Sequence, residues 1–315
     1  MLVILGWVLA GALGLLVGVR VLGVERGSVL ALLVGALPLS LLPAYVLLCL
    51  AAALRRRLLA GAAALLVTAH LLVIAPALGA DDVTAGADRA PALRVVTANV
   101  YVLNPSPEQA GRALRALRPD VLVVPELDAD GLAGLRASGL LDDLPHSVVE
   151  LGERAESVGL FSRLPLRDAT SLAGAGRLLP RATIAVGGVD VRLVTSHPLP
   201  PVLGWESLWR RSLADLADEV AGLELPTVVA GDLNADRDHA PFRRLLDVGL
   251  RDAHDARGRG LARTWPASHP VLHLDHVMVR DRAGVHIEVV GVKEAPIPGS
   301  DHLAVVADLR LVLSP

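Results

Sequence analysis

The first eighty residues constrain this chain more than any motif in it. Between Met1 and Ala80 the only charged side chains are Arg20, Glu25, Arg26 and the run Arg55-Arg56-Arg57. Three apolar stretches result: Leu2–Val24, Ser28–Leu54 and Leu58–Ala80. Each reaches the roughly 20 residues that a helix needs to cross a hydrocarbon layer. Runs this long and this poor in charge seldom occur as buried helices of soluble domains. A cleaved secretory signal is disfavoured, because no basic residues precede the first stretch and two more of membrane length follow it. The expectation is a membrane region over residues 1–80, made of three transmembrane helices.

Arg55-Arg56-Arg57 is the densest short basic loop, which marks it as cytoplasmic. The third helix then runs outward, so everything after Ala80 is expected on the extracytoplasmic side of the cell membrane. Arg20 and Arg26 flank the opposite turn and weaken this asymmetry. His70 is expected to hydrogen-bond a neighbouring helix rather than to line a transport path, since the short-looped helices carry too few polar groups for one. The one cysteine, Cys49, lies in the second stretch, so the rest of the chain can have neither a disulfide nor thiol catalysis.

Residues 81–91 are short, polar and rich in Gly and Ala, and read as a linker. Residues 92–315 read as one folded domain. From Asp81 onward there are 25 Lys plus Arg and 32 Asp plus Glu, and 25 − 32 gives −7. That balance disfavours a general nucleic-acid binder, whose affinity rests on neutralising phosphates. About ten strands alternate with a few helices. Examples are the strands ALRVVTANV, DVLVVPEL, SVGLFSRLPL and VVAGDLN, and helices after Ser106, over Leu203–Leu223 and near Pro241–Asp247. Gly187-Gly188 reads as a hairpin turn. The fold class is α/β with two packed sheets.

Polar residues gather where these strands end. TANV carries Asn99, VVPEL carries Glu126, VTSHP carries His197 and VVAGDLN carries Asp232 and Asn234. VLHLDHVMV carries Asp275, and PGSDHLAVV places Asp301 and His302 before the last strand. Residues i and i+2 of an extended segment point to one side, so Asp232 and Asn234 are expected to share one space. Any one of these alone reads as a cap or turn residue. Together they form an oxygen-rich set with imidazoles and no thiol. Such a set suits a hard cation, Mg²⁺ or Mn²⁺, rather than structural zinc. A hard ion beside His and Asn points to phosphate-ester hydrolysis.

In this order, Asn, Glu, His, GDLN, Asp and GSDH, the chain resembles the endonuclease/exonuclease/phosphatase superfamily over about Arg94 to Leu313. That group includes nucleases, inositol phosphatases and neutral sphingomyelinases. The resemblance implies a four-layer α/β sandwich, two sheets flanked by helices. It implies Glu126 as the principal metal ligand, with Asn99 close to the ion and Asp301 supporting the site. Asp232 would orient or deprotonate water, and Asn234 and His197 would contact the phosphoryl oxygens. His302 would sit against the scissile phosphate with its ring held by Asp275, and either Asp232 or His302 would be the base. The implied substrate is a phosphate ester or phosphodiester, of a lipid or, less in keeping with the charge, a nucleic acid. A non-catalytic membrane receptor or scaffold is the alternative.

Several neighbours have bland readings. Tyr101 and Asn104 either face the substrate or tie a loop. Asp252 is expected to cap or tie a loop, and His276, next to Asp275, to face away from the site. Trp205 and Trp209 are expected in the core. Arg210 and Arg211 either hold an anionic substrate or form a solvated helix face.

Overall fold

The computed structural model describes residues 1–84, 86–152, 156–174, 177–202 and 204–313. Apolar sequence without charge becomes long helices at the start of the chain. α1 (Leu2–Leu22) and α5 (Arg57–Leu78) are unbroken over 21 and 22 residues, about 31–33 Å at 1.5 Å per residue. Leu5, Val8 and Leu15 on α1, and Leu65 and Leu72 on α5, stay exposed.

The middle stretch departs from expectation. Ser28–Leu54 is not one straight helix but α2 (Ser28–Gly35), α3 (Leu37–Ser40) and α4 (Pro43–Ala53), with a bend of 86° between α2 and the Leu37–Ala53 piece. Prolines cause it. Pro38 and Pro43 have no amide hydrogen for the preceding turn, and each stands in the first turn of a new helix. Ser40 Oγ donates to the Leu33 carbonyl across the break at 3.1 Å. The region therefore has two helices long and apolar enough to cross a membrane, or three if the bent piece is one span. His70 Nδ1 lies 3.1 Å from Tyr45 Oη on α4, the interhelical tie expected of it.

Beyond this region the described residues form two six-stranded mixed sheets. In the first, β1 (Ala92–Thr97) is followed by α6 (Pro107–Ala116), β2 (Val121–Pro125), α7 (Ala129–Ala137), α8 (Leu140–Asp143), β3 (His146–Glu150) and β4 (Val158–Ser162). The second opens with β5 (Arg167–Gly174), β6 (Arg177–Val186) and β7 (Val189–Ser196). It continues through α9 (Glu206–Ala221), β8 (Thr227–Asp232), α10 (Ala240–Asp247), β9 (Arg251–Asp252), α11 (Ala253–Ala256) and β10 (Asp275–Arg280). β11 (Val285–Pro296) and β12 (Leu303–Leu313) return to the first sheet.

The sheet orders are β11-β12-β1-β2-β4-β3 and β5-β6-β7-β8-β10-β9. Both repeat one plan. A strand with an antiparallel neighbour (β1 or β7) crosses over a helix to a parallel partner (β2 or β8), which pairs antiparallel with β4 or β10. No sequence repeat announces this plan.

Alternation sets the layers. Val95 of β1, Val123 of β2, Leu193 of β7, Val228 and Ala230 of β8, and Val277 of β10 pack between the sheets. Their sequence neighbours face outward. Val96 and Leu122 meet α6 and α7 through Leu114 and Leu135. Val229 and Met278 meet α9 and α10 through Trp209, Leu213 and Phe242. This is a four-layer α/β sandwich. The described residues hold twelve strands where about ten were expected. Polar β5 and the two-residue β9 are the additions, and neither shows a clean alternation. The helix expected over Leu203–Leu223 spans Glu206–Ala221, and Leu203 lies outside the described residues. Gly187 and Gly188, with φ of 59° and 86°, make the two-residue turn between β6 and β7 that their sequence requires.

The N-terminal apolar helices are docked onto this sandwich at two places. The last turn of α1 is held by Arg20 Nε to Asp238 Oδ1 at 2.8 Å, and the loop after it by Ala240 N–H to buried Glu25 Oε1 at 2.7 Å. The end of α5 is held by Gly260 N–H to the Ala77 carbonyl and Asp81 N–H to the Ala256 carbonyl, both 2.9 Å. Thr84 adds two hydrogen bonds to Glu288 Oε2. The Arg55-Arg56-Arg57 turn, at the far end of α4 and α5, is exposed.

Candidate active site

Strand parity delivers the polar residues to one place. The inward face of β8 continues from Val228 and Ala230 to Asp232, and on to Asn234. The inward face of β7 continues from Leu193 through Thr195 to His197, that of β1 from Val95 to Asn99, and that of β10 starts at Asp275. Glu126 follows Pro125 and by parity alone would face outward. Its φ of 55° turns it back. Asn234 (49°) and Tyr101 (64°) also have left-handed φ. Such backbone persists where surrounding contacts enforce it, and it clusters at functional sites.

The contacts are tight. One amide nitrogen of Asn99 donates to Glu126 Oε1 at 2.9 Å and to Asp232 Oδ2 at 3.0 Å. Asn99 Oδ1 accepts from the Tyr101 N–H at 3.0 Å, and Glu126 Oε2 from the Val102 N–H at 3.2 Å. Asp232 Oδ1 accepts from the Asn234 N–H at 2.8 Å, while the Asn234 amide donates to the Pro198 carbonyl at 3.0 Å. His197 Nε2 stands 3.9 Å from Glu126 Oε1. His302 Nδ1 donates to Asp275 Oδ2 at 2.8 Å, which leaves Nε2 3.8 Å from Asp232 Oδ2.

Burial sets the electrostatics. It raises the Asp232 carboxyl to about 7, with the Asp275 charge adding to it and His302 opposing it. Burial disfavours a charged ring at His302, but Asp275 and Asp232 outweigh it and hold the imidazolium to about 10. Glu126, His197 and Asp232 each place a donor atom within 4.8 Å of the others, as do Asp232, Asp275 and His302. Two carboxylates bridged by one amide group, with Asp275 Oδ1 buried and lacking a hydrogen-bond partner, leave negative charge in need of a cation. Oxygen donors with imidazole at the margin fit a hard divalent ion.

All eight residues singled out in the sequence reach this region, with two qualifications. Asn99 turns its amide nitrogen, not its oxygen, toward the two carboxylates. Asp301 is exposed on the cavity rim, its Oδ2 accepting from Trp265 Nε1 at 3.0 Å, and it belongs to neither compact donor group.

The neighbours resolve. Asn104 ties loops, donating to the Val100 and Pro298 carbonyls and accepting from Ser106 N–H. Asp252 caps α11 through His254 N–H and Asp255 N–H and accepts from His276 Nδ1 at 2.8 Å. His276 faces away from the site, onto Phe242. Trp209 is buried in the core, but Trp205 is 41% exposed at the start of α9. Arg210 does not lie free: its guanidinium is 3.7 Å from the Glu25 carboxylate. It donates to the Gly23 and Glu25 carbonyls of the loop after α1.

Sequence reading missed some supports. Thr264 Oγ1 accepts from the Asp275 N–H at 3.2 Å, and Ser300 Oγ donates to the Asn99 carbonyl at 2.7 Å. It placed a helix from Ser28 but missed that its first part, α2, lines the site. The 510 Å³ cavity over the site is lined by Glu126, Asn234, Asp301 and His302 on one side and by α2 on the other. The only available signal for Ser300 was its place in GSDH; α2 offered none.

Comparison with solved structures gives the same architecture. An endonuclease/exonuclease/phosphatase from Beutenbergia cavernae DSM 12333 superposes with a TM-score of 0.56 at 23% identity, covering 71% of this chain and 72% of its own. The human Nocturnin catalytic domain gives 0.55 at 19%, covering 71% and 96%. Humanized D. rerio TDP2 gives 0.58 at 16%, covering 70% and 99%. At these identities the likeness speaks for the fold. No curated protein matches the sequence. The sequence profile of the Endonuclease/Exonuclease/phosphatase family matches residues 96–302, a span that runs from the end of β1 through His302, and the chain belongs to that family.

Proposed function

We propose that this protein is a membrane-anchored, Mg²⁺-dependent phosphoesterase whose catalytic domain lies on the extracytoplasmic side. The observation that carries the reading is the meeting of Glu126, Asp232, Asn234, His197 and the Asp275–His302 pair at one end of the gap between the sheets. A bound Mg²⁺ or Mn²⁺ supplies positive charge that polarises a phosphoryl oxygen. Glu126 would be its principal ligand, with Asn99 beside it and Asp301 supporting from the rim. Asp275 occupies His302 Nδ1, so the ring sits between two carboxylates and presents Nε2 as a donor to the phosphate. That leaves Asp232 to take the proton of the attacking water. Asn234 and His197 stabilise the negative charge that grows on the phosphoryl oxygens. Water oxygen bonds to phosphorus, the ester P–O bond breaks, and the departing oxygen takes the proton that His302 Nε2 presents. A purely non-catalytic role would leave this buried acidic group without a compensating purpose.

Purified full chain in detergent tests the reading with methyl 4-nitrophenyl phosphate. Turnover is expected with Mg²⁺ and not with chelator. Asp232→Asn is expected to lower kcat by about 10²- to 10⁴-fold without changing the unfolding temperature downward. Undiminished turnover would remove Asp232 from the mechanism. For orientation, a reporter enzyme active only in the cytoplasm, fused after the last residue, is expected to be silent; activity there would reverse the assignment of sides.

A further inference from the structure

The wall of the site opposite the catalytic carboxylates is built from the membrane region. The 510 Å³ cavity has Glu126, Asn234 and His302 at its polar end, and Val29, Leu32 and Leu272 along its apolar side. α2 is fixed in this position. His239 Nε2 lies 2.8 Å from the Ala31 carbonyl, and Ser28 Oγ donates to Glu206 at 3.1 Å. Gly35 packs so closely that a Cβ there would come within 2.8 Å of His239 Cε1 and 3.3 Å of Leu272 Cδ2. Yet Val29 is 70% and Leu32 52% exposed, so apolar surface is held open beside the reacting centre.

The 86° bend gives this wall its meaning. α2 leaves the docked loop after α1, runs across the mouth of the site, and turns into the α3–α4 piece, which packs along α5. The apolar side of the cavity is thereby continuous with the segment that enters the bilayer. A sugar phosphate or a polynucleotide would meet hydrocarbon there and lose hydration without compensation. A hydrocarbon chain would gain from it.

We propose that the substrate is a bilayer-resident phosphoester lipid, with its phosphate at Asp232 and His302 and its hydrocarbon chain lying along α2 against Val29 and Leu32. This rests on the phosphoesterase reading above. It makes α2 a substrate-binding element rather than a mere anchor.

The test uses the full chain in lipid nanodiscs with Mg²⁺ and two probes that share one scissile bond and leaving group, methyl and hexadecyl 4-nitrophenyl phosphate. The ratio of kcat/KM, hexadecyl over methyl, is expected to exceed about 100, because each methylene removed from water contributes several-fold. Val29→Asp and Leu32→Asp, both at exposed positions, are expected to cut that ratio at least about tenfold. Leu33→Asp, on the same helix but outside the cavity lining, is expected to leave the ratio where it is. Partitioning of the long-chain probe into the disc is common to all four proteins, so a ratio that neither Val29→Asp nor Leu32→Asp lowers overturns the inference. Hydrolysis of both probes without chain preference overturns it too and leaves the phosphoesterase reading standing. Hydrolysis of neither probe overturns the phosphoesterase reading, and the inference falls with it.

Discussion

Gly231 stands directly before Asp232 because β7 and β8 approach too closely there for any side chain. With φ at 154°, a Cβ built on Gly231 would lie 1.8 Å from the Ser196 carbonyl oxygen. That neighbour is main chain, so no rotamer change relieves the clash. Gly231→Ala is expected to destabilise the fold by at least about 2 kcal/mol, lowering Tm by roughly 4–8 °C for a domain of this size. Ser196→Gly in the same chain should give no rescue; restored stability would show that the side chain and not the carbonyl was the obstacle. The glycine of GDLN is thus a packing requirement that holds the carboxylate in place. Other residue-scale features were legible beforehand. Asp232 with Asn234, and Asp275 against His276, follow from alternation alone. Glu126 does not, because its inward aim comes from a left-handed φ that strand parity cannot foretell. Nor could any pattern say that Arg210 serves a loop 185 residues away.

Elements were legible where one physical rule dominated them. β2, β8 and β12 announce themselves by apolar character; β5, a polar edge strand, and α7, with two glycines among nine residues, do not. The bend after α2 was written in Pro38, and the break between α3 and α4 in Pro43, but apolarity overshadowed both. Contacts between elements are the least readable, and one of them has a pH signature. His254 of α11 donates through Nε2 to Glu294 of β11 at 2.9 Å, with Asp252 3.7 Å from its other nitrogen and Arg259 also on Glu294. Burial opposes charge on His254, yet Asp252 and Glu294 raise it to about 9. Burial likewise opposes charge on Glu294, yet His254 and Arg259 lower it to about 2. A raised imidazole contributes fully below its ordinary value of 6.5 and loses that contribution as pH rises through 9. A depressed carboxyl contributes fully above 4.5 and loses it as pH falls through 2. Thermal unfolding followed against pH is expected to show both limbs. His254→Gln should flatten the alkaline limb and leave part of the acid one, since Arg259 still faces Glu294. An alkaline limb of unchanged slope in that variant would place its origin elsewhere.

At the scale of the whole molecule, the sequence divides cleanly into an apolar region and an acidic domain, and the structure joins them. The joint gives Arg20, which weakened the charge asymmetry in the sequence, a structural partner. Arg20 is paired with Asp238, which is 1% exposed and whose Oδ2 has no hydrogen-bond partner. A basic residue on the domain side is there to meet a buried acid rather than to report topology. Two consequences separate this from an incidental contact. Arg20→Ala strands a buried carboxylate and is expected to cost about 3–5 kcal/mol, read as a lower unfolding midpoint in detergent and as faster proteolysis of the Gly23–Ser28 loop. Adding Asp238→Asn removes the stranded charge and should recover a large part of that loss, whereas independent effects would simply add. A midpoint unmoved by Arg20→Ala would mean that Glu25, Arg210 and α2 seat the apolar helices without this pair. If the loss occurs, the same loop sets where α2 begins, so the loosened variant should also show a weaker preference for the long-chain probe. Stability of the joint and choice of substrate would then be two readings of one contact between the apolar helices and the sandwich.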